Sequence, residues 1–261
     1  MRMQPDLFIE PQLRSILAES LAGKVALVTG ASRGVGAVTA RMLAQGGAHV
    51  ILNYRSKGSR AEKVVAEIKS AGGTASTIQC DITVAGEVDT MLNQVGREFG
   101  FLNFLILNAS GGLEKDRGED YSMLLNCTAQ LNLLKKSVPW LRPPGRAVFV
   151  TSHLAHFYGK KPVHPGYEPV AAGKLAGEKA LRAMIPELTA KGIALMVVSG
   201  DLIEGTITPR LLNRTNRGLI DLRRRQAGRL PTVEEFGLAI AQAAADPDLQ
   251  SGATVYVGAT D

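Results

Sequence analysis

The 261-residue sequence predicts a single doubly wound α/β domain. Two patterns predict it, and composition permits it. Short runs, nearly all apolar and rich in β-branched residues, recur along the chain, as strands do when helices cover both faces of a sheet. Longer segments of helical pattern separate them, and this alternation implies parallel strands joined by right-handed crossovers. The chain is 45% hydrophobic and 21% charged, which supplies a full core for one domain of this length.

The elements follow in order. Val25 to Thr29 reads as the first strand, residues 35–46 as its helix and Ala48 to Leu52 as the second strand. Residues 59–71 read as helix, Thr74 to Gln79 as strand, 84–99 as helix and Leu102 to Leu107 as strand. A long helix is expected over about 119–139, then a fifth strand from Arg146 to Thr151. Residues 169–191 read as one helix, Ile193 to Val198 as the sixth strand, 232–245 as helix and Ala253 to Val257 as the seventh strand. The irregular stretch at about 201–230 holds two candidate short helices, Thr206 to Leu212 and Gly218 to Arg225. Long excursions at this edge of such sheets tend to be active-site lids.

Composition excludes several classes. No apolar run approaches the length of a membrane span. Residues 1–20 carry Asp6, Glu10 and Glu19 among their apolar residues, which argues against a secretory leader. Leu7, Phe8, Leu13, Ile16 and Leu17 suggest instead a short amphipathic extension before a domain at 21–261. Two cysteines, Cys80 and Cys127, give no disulfide framework and suit a reducing cytoplasm. The net charge of +6 and the run Arg223-Arg224-Arg225 come without interleaved aromatics, so they point to a solvated face or an anionic small molecule rather than nucleic acid.

The chemistry begins at Thr29-Gly30-Ala31-Ser32-Arg33-Gly34-Val35-Gly36, between the first strand and its helix. Glycines there permit a tight turn and bring backbone N–H groups to a pyrophosphate at the helix N-terminus, the Rossmann arrangement. The spacing Gly-x-x-x-Gly-x-Gly, preceded by Thr, resembles that of the short-chain dehydrogenase/reductase family, and the resemblance extends over nearly the whole chain after about Leu21. It implies an adenine-side role for Asp81 and Ile82. It implies a cofactor contact for Asn108-Ala109-Ser110, with Ser where the family has Gly, and a structural role for Asn126 in the helix that follows. It implies a nicotinamide-side turn at Gly200, with Ser199 in place of Pro, and a carboxamide contact from Thr206. A homodimer or homotetramer is the family habit. An NAD site calls for an acid at the end of strand two, but here that strand ends Asn53-Tyr54-Arg55-Ser56. Arg55 and Arg33 together suit a 2′-phosphate, so NADPH is expected.

In the resembled family a Ser, a Tyr and a Lys carry catalysis, with the Tyr four residues before the Lys. Lys174 has the right context, but the tyrosine position is Val170, as in an atypical branch lacking that residue. Ser152 and His153 compete for the serine position. Three readings are open. Tyr167 could replace the missing acid with Ser152 as its partner. The chain could be a non-enzymatic NADPH-binding regulator. The favoured reading is reduction of a ketone without a tyrosine, which requires a conjugated aromatic substrate able to spread the developing charge. That resembles the ketoreductases that tailor angucyclinone-like aromatic polyketides in antibiotic biosynthesis. His153, His156 and His164 bunch beside the site, but no converging carboxylate or thiolate accompanies them, so no metal is expected.

Overall fold

The computed structural model describes residues 21–114, 118, 120–164 and 166–260, so the expected extension at 1–20 lies outside the described residues. Seven strands form one parallel sheet in the order β3-β2-β1-β4-β5-β6-β7. They are Val25–Val28 (β1), His49–Tyr54 (β2), Thr74–Gln79 (β3), Leu102–Leu107 (β4), Leu141–Ser152 (β5), Ile193–Gly200 (β6) and Thr254–Val257 (β7). The order reverses between β1 and β4, which opens a crevice at their C-terminal ends.

The central strands are apolar because both faces are covered: all residues of β1 and β4 are buried. Gly34–Gln45 (α1), Gly58–Ser70 (α2) and Ala85–Phe99 (α3) are the first crossovers. The next helix, α4, starts at Tyr121–Met123, passes through a π-helical turn at Leu124–Thr128 and ends as Ala129–Ser137. Such turns frequently mark functional sites, because the extra residue re-aims the side chains around it.

After β5 come a one-turn helix, His153–His156 (α5), and then Glu168–Ala183 (α6) and Ile185–Ala190 (α7). The single helix expected over 169–191 is therefore two. Pro186 sits in the first turn of α7, where its missing N–H is harmless, whereas inside a continuous helix it would break the ladder. The fifth strand also starts earlier than expected, since Leu141 pairs with Leu102 and Gly145 with Ile193. Ile207–Thr215 (α8) and Leu219–Ala227 (α9) occupy the stretch expected to act as a lid, and Val233–Ala245 (α10) begins with a capping box from Thr232 and Glu235.

One close approach fixes the site's geometry. A Cβ at Gly177 of α6 would lie 2.1 Å from the Asn126 carbonyl oxygen, so only glycine lets α6 press against the π turn.

Candidate active site

A cleft of about 740 Å³ runs along the C-terminal ends of the strands. Its floor is the loop after β1. Gly30 and Gly34 have φ of 62° and 55°, and a Cβ on Gly34 would meet nothing within 4 Å, which leaves the approach to the α1 N-terminus clear. Thr29 ties this loop to the one after β4. Its Oγ1 donates to Ile106 O at 3.1 Å and accepts from the Asn108 and Ala109 N–H groups at 2.9 and 3.0 Å. Asn108 Nδ2 donates back to Thr29 O at 2.8 Å. The result is a rigid cradle with free amides, which fits the pyrophosphate of a dinucleotide.

The expected cofactor residues lie along this cleft: Gly30, Ser32 to Gly36, Asn53 to Ser56, Asp81 and Ile82, Asn108 to Ser110, Lys174, Gly200 and Thr206. Several of them already have partners within the protein, Asn53, Asp81 and Arg55 among them. Asn53 is buried, accepting from Gly30 N at 3.4 Å and donating to Cys80 O at 3.0 Å, so its amide shapes the loop. Asp81 Oδ1 accepts from Thr83 N at 3.0 Å and Thr83 Oγ1 at 2.7 Å. Arg55 Nη1 donates to the Tyr121 hydroxyl. Sequence reading missed Lys57 and Arg60, which line the cleft at the start of α2. The available signal was two basic residues just past a strand that lacks a terminal acid.

At the other end, Ser152 caps α5 and accepts from Ala155 N at 3.3 Å. Its Oγ lies 3.1 Å from the Tyr167 hydroxyl, and both residues line the cleft. Burial raises the Tyr167 pKa above its usual value, opposed by the Ser152 hydrogen bond. Lys174 is buried too. Its Nζ donates to Val150 O at 3.0 Å, and burial pushes its pKa down to about 8. Asn126 lies behind the wall. Its Nδ2 donates to Gly111 O and Ser122 O, both at 2.9 Å, and its Oδ1 accepts from Ser110 Oγ at 2.9 Å. It holds the post-β4 loop in place and does not itself line the cleft.

One expectation needs correction. His153 does not compete with Ser152. Its Nδ1 lies 2.8 Å from Ser199 Oγ, its ring packs beneath Tyr256, and burial, the largest cause, pulls its pKa down to about 4. The first turn of α5 sends consecutive side chains in different directions, so Ser152 faces the cleft and His153 the core. Nor does position 170 face the reaction space. Val170 is 3% exposed and belongs to an apolar cluster with Tyr167, Leu212 and Leu219 under the lid. Of the other loop histidines, His156 bridges Glu178 and Tyr256, both at 2.9 Å. Arg223 ties α9 to the end of β6, its Nε lying 3.0 Å from both Asp201 carboxylate oxygens.

A family model for the short chain dehydrogenases matches residues 24–215. The hydroxynaphthalene reductase-like protein Arp2 of Metarhizium robertsii is 35% identical over 186 residues, covering 69% of this chain and 68% of that protein. The match to its counterpart in Metarhizium brunneum spans about half of that protein, 55% of its length. Among solved structures, a short chain dehydrogenase from Burkholderia cenocepacia in complex with NADP superposes with TM-score 0.77 at 27% identity, over 91% of this chain and 97% of that one. The angucycline C-6 ketoreductase LanV with bound NADP has the same TM-score at 24% identity, over 93% and 97%, a likeness of fold.

Proposed function

The chain belongs to the short-chain dehydrogenase family, and from that premise we propose that it is an NADPH-dependent ketoreductase acting on a carbonyl conjugated to an aromatic system, of the angucyclinone-like polyketide class in antibiotic biosynthesis. Bound in the cleft, NADPH supplies the hydride. The backbone amides at Gly34 to Gly36 would hold its pyrophosphate, Lys174 its nicotinamide ribose, and Arg33, Arg55, Lys57 and Arg60 would face its 2′-phosphate. Likeness to a solved NADP complex and the absence of an acid at the end of β2 support this choice of cofactor. The named activity of the Arp2-like relatives, reduction of a hydroxynaphthalene compound, supports an aromatic substrate.

The observation that carries the mechanism is the environment of Tyr167. Its phenol is raised by burial, and the Ser152 hydroxyl is the one influence that lowers it. The Lys174 ammonium is engaged with Val150 O. A phenol whose pKa is raised by burial is a weak acid. Hydride arriving at an isolated ketone would leave a strongly basic alkoxide. Hydride added in a conjugate sense to a quinone-like or vinylogous aromatic ketone would instead leave the electron pair on a phenol-like oxygen, whose conjugate acid titrates near ~10. Water at the cleft mouth then supplies the proton, and hydride plus proton complete the two-electron reduction. The 3.1 Å contact between Ser152 and Tyr167 favours a second reading, in which Tyr167 donates that proton directly.

Tyr167→Phe separates the two, measured as NADPH oxidation with a panel of quinones and aryl ketones. Under the first reading most activity remains; a thousandfold loss makes Tyr167 the acid. No oxidation with any member of the panel, while NADPH still binds, would reduce the chain to a cofactor-binding regulator.

A further inference from the structure

Arg55 and Tyr121 stand on different walls of the cleft. Arg55 follows β2, where the adenine-side ribose of a dinucleotide belongs, and Tyr121 opens α4 after β4. The Arg55 guanidinium crosses between them to donate to the Tyr121 hydroxyl. The two residues are not equally mobile. The Tyr121 ring is 8% exposed and sits in the core cluster with Ile82 and Leu125, so its hydroxyl has a fixed position at the cleft surface. Arg55 is half-buried on a long flexible stem.

We infer that Tyr121 is a positioning residue for recognition of the 2′-phosphate. It accepts one of the five guanidinium N–H groups and holds Arg55 in a single rotamer, leaving the rest of the fork for phosphate oxygens. An arginine already ordered gives up less freedom when the phosphate arrives, so the phosphorylated cofactor gains affinity that the unphosphorylated one does not. The inference rests on the NADPH reading above and adds a residue that the glycine-loop and strand-end pattern does not reveal.

The test is calorimetric titration of the full chain with NADPH and with NADH, for wild type, Tyr121→Phe, Arg55→Ala and the double variant. Phe keeps the packed ring and removes the acceptor. Tyr121→Phe should weaken NADPH binding about tenfold, the order expected for a hydrogen bond to a charged group, and leave NADH within twofold. In the Arg55→Ala background, the Tyr121→Phe change should add nothing. The inference is overturned if NADPH and NADH weaken together, if NADPH binding is unchanged, or if the two losses add. If wild type binds NADH as tightly as NADPH, the cofactor reading itself falls and takes the inference with it. If only the Tyr121 results fail, the cofactor reading stands.

Discussion

Replacing Lys174 by Met should stabilise the cofactor-free protein. The ammonium is 7% exposed, and burial is the cause that brings its pKa from 10.5 to about 8. At about 1.4 kcal/mol per pH unit, carrying that charge folded disfavours the native state by about 3 kcal/mol below pH 8. Met fills similar volume without charge. The Val150 carbonyl then loses a hydrogen bond worth about 1 kcal/mol, leaving a net gain of about 2 kcal/mol. For a domain of this size that is roughly a 4–8 °C rise in Tm. The sign with pH follows from linkage. Between about 8 and 10.5 the unfolded lysine holds a proton that the folded one has released, so wild-type stability rises with pH through that window. The difference between variant and wild type should therefore be fully present at pH 7 and shrink toward pH 10.5, as read by calorimetric melts of the free protein. A variant less stable at pH 7, or a difference independent of pH, would refute the reasoning.

Two further perturbations probe the surroundings of the cleft. His153 stays neutral when folded until about pH 4, so wild-type stability should fall as pH drops from 6.5 toward 4, by up to about 3 kcal/mol. His153→Gln, which keeps a hydrogen-bonding group for Ser199, should flatten that part of the melting profile; an unchanged acid slope counts against the burial account. Arg223→Ala leaves the Asp201 carboxylate, 6% exposed, without its cation. It should lower stability by about 3 kcal/mol and raise KM for the ketone, because α9 loses its tie to the end of β6. Steady-state kinetics with KM unchanged would show that the lid does not depend on this pair.

Much of this architecture is legible in the residues. Thr74–Gln79, rich in β-branched residues, and the apolar Leu102–Leu107 are bounded in the structure as the sequence suggests, and the glycine loop announces the cradle. What is hidden lies where geometry changes without a compositional mark. The π turn at Leu124–Thr128 adds one residue to a helical turn but leaves an ordinary apolar and polar pattern. The one-turn helix α5 is too short for any periodicity, yet it decides that Ser152 faces the cleft and His153 the core. Arg55 looks like a free phosphate ligand until Tyr121, 66 residues away, is seen to hold it.

The same geometry changes what the Val170 substitution means. Positions 167, 170 and 174 lie within about 60° of one another around the helix, so the hydroxyl is displaced along that face rather than removed from it. Three residues correspond to about 4.5 Å of rise, and the long phenol at the helix cap covers enough of that distance to meet Ser152. The ammonium of Lys174 stays at the Val150 carbonyl, two residues before Ser152 on β5. The displacement therefore keeps the Ser–Tyr contact, with the lysine on the same stretch of β5. Val170, relieved of any role in the cleft, packs with Leu212 and Leu219 and gives the lid an apolar seat. An apolar seat at position 170 and a phenol moved one turn towards the helix start thus follow from the same three-residue shift, and the Tyr167→Phe experiment decides whether that phenol still donates the proton.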